Sequence, residues 1–227
     1  MNADDAGHPW FPVWGLRLET PRLVLRPARE PEMDSLCRLA VRGIHDPAEM
    51  PFEVPWTDVP SPLRERRTFE FILGCWAGIS PEGWRLPFAV CVDGAVVGLQ
   101  DLAASGWSQR RVVQTGSWLG RDYQGSGLGT EMRSAVLHLA FEALGARRAE
   151  SIAFEDNAAS ISVSRRLGYV EDGERFVDRR GVSTRQVCLA IEADRWESSP
   201  AAKMPVTLHG VTDDLLEQLG VEGHTGP

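Results

Sequence analysis

The feature that most limits the fold of this chain is a loop with three alternating glycines at residues 124–130, which reads QGSGLGT. Glycine has no Cβ, so a backbone rich in it can bend closely around a bound group. An apolar run at residues 112–119 precedes the loop and a helical pattern follows it. The first N–H groups of a helix are unpaired and lie at the positive end of its dipole. This junction therefore predicts a site for a phosphate or a pyrophosphate.

Three kinds of phosphate-binding loop compete for this assignment. A nucleoside-triphosphate loop ends in Gly-Lys-Ser/Thr, whereas Gly129 is followed directly by Thr130. A dinucleotide fingerprint reads GxGxxG inside a parallel βαβ unit, whereas these glycines are spaced GxGxG and follow a hairpin. The third pattern, Gln/Arg-x-x-Gly-x-Gly/Ala, fits Gln124, Gly127 and Gly129 without a gap. A flexible turn is the plain alternative.

The rest of the chain alternates between strand and helix patterns. Asp93-Gly94 between two apolar runs predicts a hairpin of strands at 88–92 and 95–97, because both turn residues tolerate positive φ. Period-two alternation and short apolar runs predict further strands at 22–26, 112–119, 149–154, 169–170 and 185–191. Period-3.6 patterns predict helices at 30–44, 63–79, 128–143 and 158–167. Gly145 is the expected stop of the third helix, and the second should bury one face, formed by Phe69, Ile72, Leu73 and Trp76.

Length and composition set outer limits. The 227 residues have room for one ordinary domain, which we place at 18–195, between an arm at 1–17 and a tail at 196–227. The tail has no clear role in a core apart from a short helix at 213–219. No apolar run reaches the ~20 residues of a membrane span, and the acidic start is unlike a signal peptide, so we expect a cytoplasmic protein without a membrane partner.

Charge and cysteine content exclude other classes. The net charge of −8 argues against non-specific binding to nucleic acid, which needs clustered Lys and Arg. The four cysteines form no CxxC pair, so we expect neither a metal site nor a disulfide framework. They are expected to be small buried side chains instead.

The order of elements, together with four short phrases, resembles the GNAT superfamily of acyl-CoA N-acyltransferases, and its RimJ/RimL branch in particular. The resemblance covers about residues 18–191, and the phrases are LETPRLVLR at 18–26, GSWL at 116–119, NAAS at 157–160 and RLGY at 166–169. It implies an α+β GNAT fold. In that fold a mixed, mostly antiparallel sheet of about six to seven strands splays after the third internal strand, flanked by about four helices.

The resemblance also implies a reaction. An acyl group passes from acyl-CoA to the primary amine of a small molecule or a protein, by direct attack in a ternary complex without a metal. The phrases GIHDPAEMPF at 43–52 and VPWT at 54–57 are similar to an actinobacterial subgroup that uses succinyl-CoA. The donor is therefore acetyl-CoA or succinyl-CoA. A catalytically silent acyl-CoA sensor and a nucleotide-binding regulator remain alternatives, and the oligomeric state stays open, a homodimer included.

Site residues follow from the same resemblance. Trp118 and Leu119 offer backbone groups to the pantetheine arm and one N–H to the thioester carbonyl. Asn157 contacts pantetheine and is also a good N-cap, while Ser160 donates to the leaving thiolate. The pyrophosphate is bound by the loop, which consists of Gln124, Gly125, Ser126, Gly127, Leu128, Gly129 and Thr130.

The general base is the least determined role. Gln114 stands where many family members carry a carboxylate, and an amide cannot accept the proton of an amine. His45, Asp46 and Glu49 are the substitutes, directly or through a water, although a cation at a helix C-terminus is an equally good role for His45. Asp101 is the next candidate. Phe52 and Trp56 are expected to line the acceptor or acyl pocket, and His138, on the polar side of its helix, receives no role.

Overall fold

The computed structural model describes residues 8–221, so expectations for the first seven and last six residues lie outside the described part. Within residues 8–221, nine strands form one sheet in the order β7-β8-β6-β5-β4-β3-β2-β1-β9. The strands are β1 (Arg17–Glu19), β2 (Val24–Pro27), β3 (Gly83–Val92), β4 (Ala95–Ser105), β5 (Val112–Leu119), β6 (Arg148–Phe154), β7 (Val170–Arg179), β8 (Val182–Glu192) and β9 (Thr207–His209).

Four helices of nine or more residues flank this sheet. They are α1 (Glu30–Arg42), α2 (Leu63–Ala77), α4 (Leu128–His138) and α5 (Ala158–Arg166). Three shorter helices are α3 (Trp107–Arg110), α6 (Ala193–Glu197) and α7 (Asp213–Gln218). A π-helical turn at Leu139–Ala143 extends α4, and the chain then turns at Gly145, whose φ is +68°. The predicted stop is thereby confirmed.

The centre of the sheet follows the predicted pairing. β3, β4 and β5 are antiparallel neighbours, and Asp93 and Gly94 join β3 to β4 with φ values of +48° and +82°. β5 pairs in parallel with β6 only from Val112↔Arg148 to Gln114↔Glu150. Beyond those positions the two strands separate, and this gap is the splay expected after the third internal strand.

Helices cover both faces of the sheet. Side chains alternate between faces along a strand, and Ser117 of β5 contacts Arg133 of α4, whereas Trp118 contacts Trp56 in the segment after α1. We therefore call the two sides the α4 face and the α1 face. The splay lies between these two sides, and each side contributes residues next to β5.

Two additional short strands at one end of the sheet, β1 and β9, make it wider than the predicted six to seven strands. β1 pairs with β2 on one side and with β9 on the other, each over two or three residues. A strand of three residues is too short to show an alternation of apolar and polar side chains, so β1 and β9 could not be predicted from the sequence. The last hairpin is also longer than the two short strands predicted at 169–170 and 185–191. The length of β7 was underestimated because the strand is exposed along most of its length and its charged residues show no apolar alternation.

The expectation that the tail has no clear core role is wrong. Leu215 and Leu219 of the last helical segment are fully buried, and the Trp84 Nε1–H donates to the Leu219 carbonyl at 3.1 Å. Trp196 is buried against the turn that follows α4. These contacts were missed because the tail's apolar residues are few and separated by prolines, so they show no periodicity.

Two side-chain expectations are also corrected. Leu73 of α2 is 47% exposed, because the buried face of α2 is formed by Thr68, Ile72, Cys75 and Trp76. His138, expected on a polar surface, is buried because Trp196 packs edge-on against its ring. Three of the four cysteines, Cys37, Cys75 and Cys91, are buried as predicted, whereas Cys188 on β8 is only partly buried. No helix within residues 8–221 is long and apolar enough to cross a bilayer.

Candidate active site

The glycine-rich loop forms the turn from β5 into α4. Gly125 and Gly127 have φ values of +75° and +85°, which side chains rarely allow, so these two positions require glycine. The N–H groups of Thr130 and Glu131 both donate to the Gly127 carbonyl, at 3.1 and 3.2 Å, and start the helix. Residues 124–127 are exposed, whereas Leu128 is buried and anchors the first turn in the core. The loop thus presents backbone at a helix N-terminus, as predicted.

The side chain of Gln124 positions the loop. Its Nε2 group donates to the Ile44 carbonyl at 2.6 Å and to the Leu119 carbonyl at 2.9 Å. These bonds tie the loop to the end of α1 and to the end of β5. Because both amide hydrogens are used, a ligand in the loop would meet the backbone rather than this amide.

Arg22 is a neighbour of the loop that the sequence did not indicate. Its Nη1 donates to the Ser126 carbonyl at 3.0 Å, and its Nε donates to Glu131 Oε2 at 2.6 Å. Glu131 is buried and also accepts from the Thr20 hydroxyl at 2.6 Å. This arrangement holds a guanidinium beside the loop from the turn between β1 and β2, more than 100 positions earlier in the chain. A local sequence motif cannot predict a contact over that separation.

The splay runs from the loop toward the paired ends of β5 and β6. Trp118 and Leu119 are in register with Leu99 and Gly98 of β4, which occupies one edge of β5. Along the other edge, past Gln114, β5 has no strand partner among residues 8–221. An extended ligand can pair with backbone groups there as an added strand does.

Asn157 and Ser160 lie at the start of α5, on the α4 face. Asn157 Oδ1 accepts from the Ser160 N–H at 3.1 Å, which confirms the predicted N-cap. The bond uses the backbone of Ser160, and its side chain is partly exposed on the first turn. The Ser160 hydroxyl therefore takes no part in this cap.

An aromatic chain crosses the α1 face. Ring centroids are 5.6 Å apart for His45 and Phe52, 5.3 Å for Phe52 and Trp56, and 5.9 Å for Trp56 and Trp118. The segment between α1 and α2 therefore covers β5 at the position of Trp118. The structure thus brings Phe52 and Trp56, the predicted pocket residues, to the splay.

The predicted bases His45 and Glu49 differ in their surroundings. His45 Nδ1 is 2.8 Å from the Asp46 carbonyl, so it must be the protonated nitrogen, and Nε2 then accepts from the Thr57 hydroxyl at 2.7 Å. This tautomer is inferred from the partners. As a base, His45 would have to release Thr57. Glu49 lies exposed in the same segment.

A carboxylate missed by the sequence stands next to Gln114. Glu150 is the β6 residue in register with Gln114, and the Gln114 Nε2 group donates to Glu150 Oε2 at 3.4 Å. Arg148 Nε donates to the other oxygen at 3.1 Å. Glu150 was missed because only the short parallel ladder brings these strands together. The carboxylate absent from β5 is thus supplied by β6.

Asp101 of β4, the next candidate base, is in register with Gly116 of β5. Its Oδ1 accepts from the Gly116 N–H at 3.0 Å and its Oδ2 from Arg85 at 2.9 Å. Burial raises the pKa of Asp101, although Arg85 and the Gly116 N–H offset part of that effect. A Cβ on Gly116 would stand 2.9 Å from this carboxylate, so glycine is required for the contact.

The β7–β8 hairpin contacts the segment between α1 and α2. Arg180, in the turn of this hairpin, donates from Nε to Asp58 Oδ2 at 2.8 Å and from Nη2 to the Pro47 carbonyl at 3.3 Å. Arg175 of β7 pairs with Glu53. The hairpin therefore bridges to the segment that carries His45, Phe52 and Trp56. Among residues 8–221 no three His, Cys, Asp or Glu side chains are grouped as metal ligands would be.

Comparisons with known proteins agree with this geometry. The family model described as the acetyltransferase (GNAT) domain matches residues 22–170, more than half of the chain. Among solved structures, RimJ of Mycobacterium smegmatis, in complex with CoA-disulfide, is 21% identical with a TM-score of 0.65, covering 82% of this chain and 90% of that one.

Two further structures show the same fold. RimL, described as a ribosomal L7/L12 α-N-protein acetyltransferase in complex with coenzyme A, is 19% identical with a TM-score of 0.63, covering 78% of this chain and 97% of that one. A putative ribosomal-protein-serine acetyltransferase from Vibrio cholerae is 19% identical with a TM-score of 0.59, over the same shares of the two chains. With the family match and the splayed sheet beside its glycine loop, the chain belongs to the GNAT family of acyl-CoA-dependent N-acetyltransferases.

Proposed function

We propose that this enzyme transfers an acetyl or succinyl group from coenzyme A to a primary amine, by direct attack of the amine in a ternary complex. One observation carries the proposal. The exposed loop residues 124–127 stand at the N-terminus of α4, and β5, the strand that leads into the loop, has an unpaired edge past Gln114. A phosphate site and a strand-like groove would therefore follow each other along one path.

Coenzyme A would bind along this path. The N–H groups at the start of α4 would hold the pyrophosphate, and the Arg22 guanidinium beside Ser126 adds a positive charge. The pantetheine arm would pair with the edge of β5 in the splay, with Asn157 on the other side. A backbone N–H at Trp118 or Leu119 would polarise the thioester carbonyl.

The chemistry needs a proton acceptor and a proton donor on opposite sides of the thioester. The neutral amine attacks the carbonyl carbon, the C–S bond breaks, and the electron pair leaves on sulfur. We propose Ser160 as the donor to that thiolate. For the base we rank Glu150 first, because it stands at the splay beside Gln114, and keep His45 and Glu49 as alternatives.

The acceptor is a primary amine of a protein or a small molecule. An α-amine, with a pKa near ~8, needs less help from a base than a lysine near ~10.4. The described activity of RimL on a protein α-amine supports testing N-terminal peptides first. The aromatic chain from Phe52 to Trp118 offers an apolar surface for the residue that follows the amine.

A succinyl donor places a carboxylate at the acyl end. Arg175 and Arg180 lie near the segment at residues 45–58 and could meet it, but both already pair with carboxylates, Glu53 and Asp58. We expect succinyl-CoA to bind at least as well as acetyl-CoA. Turnover of acetyl-CoA together with no binding of succinyl-CoA would contradict this expectation.

The deciding experiment is calorimetric titration of coenzyme A against Gly127→Glu. The new carboxylate would occupy the pyrophosphate position on a backbone with φ of +85°, and we expect affinity to fall by about 100-fold or more, since juxtaposed like charges cost several kcal/mol. Gly173→Glu is the control, since Gly173 also has a positive φ, +130°, and faces open space on β7. Unchanged affinity in Gly127→Glu would exclude the loop as the pyrophosphate site.

The rival function is a silent acyl-CoA sensor, which Gln114 in place of a carboxylate suggested. The Glu150 carboxylate next to Gln114 makes the silent sensor the weaker alternative. Thiol release from acetyl-CoA or succinyl-CoA with a panel of amines separates the two: a sensor binds the donor and releases no thiol above the rate without enzyme.

A further inference from the structure

Arg133 is a buried charge that none of the roles above uses. It lies in the second turn of α4 and is 4% exposed. Its guanidinium donates from Nη1 to Ser164 Oγ at 2.8 Å and to Ser151 Oγ at 3.3 Å, and from Nη2 to Ser117 Oγ at 3.4 Å. All three partners are neutral hydroxyls.

The charge of Arg133 is not balanced locally. No carboxylate among residues 8–221 forms an ion pair with it, and its Nε has no hydrogen-bond partner there. Two titratable groups interact with it: the buried Tyr169 hydroxyl, which stays neutral because burial raises the pKa of Tyr169 to about 12, and Asp101, behind Gly116 on the α1 face. Asp101 is already bonded to Arg85 and the Gly116 N–H. Two arginines and one aspartate leave one excess positive charge. A buried ion without a counterion costs several kcal/mol, so this arrangement favours the arrival of an anion.

The location of Arg133 indicates which anion would balance its charge. Ser117 is on β5 and Ser151 is on β6, and each lies just past the positions where the two strands stop pairing, at Gln114 and Glu150. The guanidinium therefore spans the closed end of the splay from the α4 face. Under the proposed function, on which this step rests, that end receives the thioester of the donor.

We propose that Arg133 is a positioning residue for acyl transfer, whose buried charge stabilises the coenzyme A thiolate that forms when the thioester C–S bond breaks. The electron pair of that bond leaves on sulfur, and the amine nitrogen takes its place on the carbonyl carbon. Ser117 Oγ accepts from Arg133 and keeps its own proton to donate toward sulfur. Charge stabilisation of this kind is strong where water is excluded.

The direct test measures the thiol pKa of enzyme-bound coenzyme A, from thiolate absorbance against pH. In the wild type we expect a value below that of free coenzyme A. Arg133→Met keeps the length of the side chain without its charge and should raise the bound thiol pKa by about one unit or more, the usual effect of losing an adjacent opposite charge. Arg133→Lys should restore most of the lowering. Equal values in the wild type and Arg133→Met would overturn the proposal.

Desulfo-coenzyme A, which lacks the thiol, separates this role from a structural one. Its affinity should be unchanged in both Arg133 variants, because the proposed interaction is with sulfur alone. If Arg133→Met loses affinity for desulfo-coenzyme A while remaining folded, Arg133 shapes the pocket and the proposal fails. If the wild type binds neither coenzyme A nor desulfo-coenzyme A, the proposed function itself fails.

Kinetics give an independent reading. Arg133→Met should lower kcat by about 100-fold, the effect of losing one preorganised charge-stabilising group, with little change in KM. The loss should be the same for acetyl-CoA and succinyl-CoA, and a loss confined to succinyl-CoA would mean that Arg133 binds the acyl carboxylate instead. Should Arg133→Met not fold, Ser117→Ala carries the test, since it removes only the intervening hydroxyl and should also raise the thiol pKa.

Discussion

The two sides of the cleft are built in different ways. On the donor side, meaning residues 124–130 and the start of α5, the bonds that form the turns join near neighbours, such as Asn157 with Ser160 and Gly127 with Thr130, and the long-range bonds of Gln124 and Arg22 only hold these turns in place. On the acceptor side, meaning residues 45–58, the β7–β8 hairpin and Glu150 of β6, the bonds join distant positions, and Arg180 pairs with Asp58 across 122 residues. A bond between near neighbours can be predicted from a short sequence motif, whereas a pair of distant residues cannot.

The two sides also differ in the charge they offer. The donor side presents backbone N–H groups, with Arg22 beside them and Arg133 beneath the splay, and so suits an anionic donor. The acceptor side presents aromatic rings and the Glu150 carboxylate at the splay, and so suits a cationic amine that must lose a proton. Substitutions should therefore affect one substrate and leave the other unchanged.

The largest expected effect belongs to Glu150 on the acceptor side. Glu150→Gln should lower kcat/KM for a basic amine by roughly 100-fold or more and remove the acid-side inflection of its pH profile, since it removes the proposed base. The affinity for coenzyme A should not change. Steady-state profiles against pH, with amines of different basicity, measure both.

Three further variants test that assignment. His45→Ala and Glu49→Ala should retain the inflection if Glu150 is the base. Gln114→Glu would put a second carboxylate opposite Glu150, and because neighbouring like charges raise each other's pKa, the inflection should move to higher pH. A wild-type profile that follows only the amine's own pKa, with Glu150→Gln fully active, would mean that the acceptor arrives neutral without a base.

A smaller effect is expected from Ser160 on the donor side. Ser160→Ala removes the hydroxyl but keeps the backbone N–H that Asn157 caps, so the helix should be unaffected. We expect kcat to fall about tenfold, the effect of one hydrogen bond to a charged group, at constant affinity for coenzyme A. Ser162→Ala, on the same helix, is the matched control. An equal loss in the two variants would show that Ser160 has no special role.

The same contrast explains what the sequence could predict. The strand at 112–119, the Asp93-Gly94 turn and the Asn157 cap were predicted correctly, because alternation, turn chemistry and capping are local. Arg22, Arg133 and Glu150 were missed because only the fold brings them to the site. The extent of β7 was missed for a different reason. Its pairing with β8 is reinforced by exposed cross-strand ion pairs such as Arg185 with Glu174, which show no apolar pattern.

The smallest expected effect concerns the hairpin. Arg180→Ala removes the bonds to Asp58 and Pro47 that join the hairpin to the acceptor segment. The pair is exposed, and exposed ion pairs contribute little to stability, so we expect no loss of fold. The KM for the acceptor should rise by about threefold, because the segment with Phe52 and Trp56 loses its tether, and the affinity for coenzyme A should stay constant.

Salt and pH give this prediction its controls. Added salt screens exposed ion pairs, so the wild-type acceptor KM should rise with ionic strength, and the acceptor KM of Arg180→Ala should respond less.

Arg180 lowers the pKa of Asp58, so the ion pair persists above the ordinary carboxyl pKa and is lost only as the pH falls through the lowered value. Between neutral and alkaline pH the Arg180→Ala effect should therefore be constant. Arg165→Ala breaks an exposed pair with Glu171 next to α5 and should leave the acceptor KM unchanged. A fall in coenzyme A affinity at constant acceptor KM in Arg180→Ala would assign the hairpin to the donor side instead.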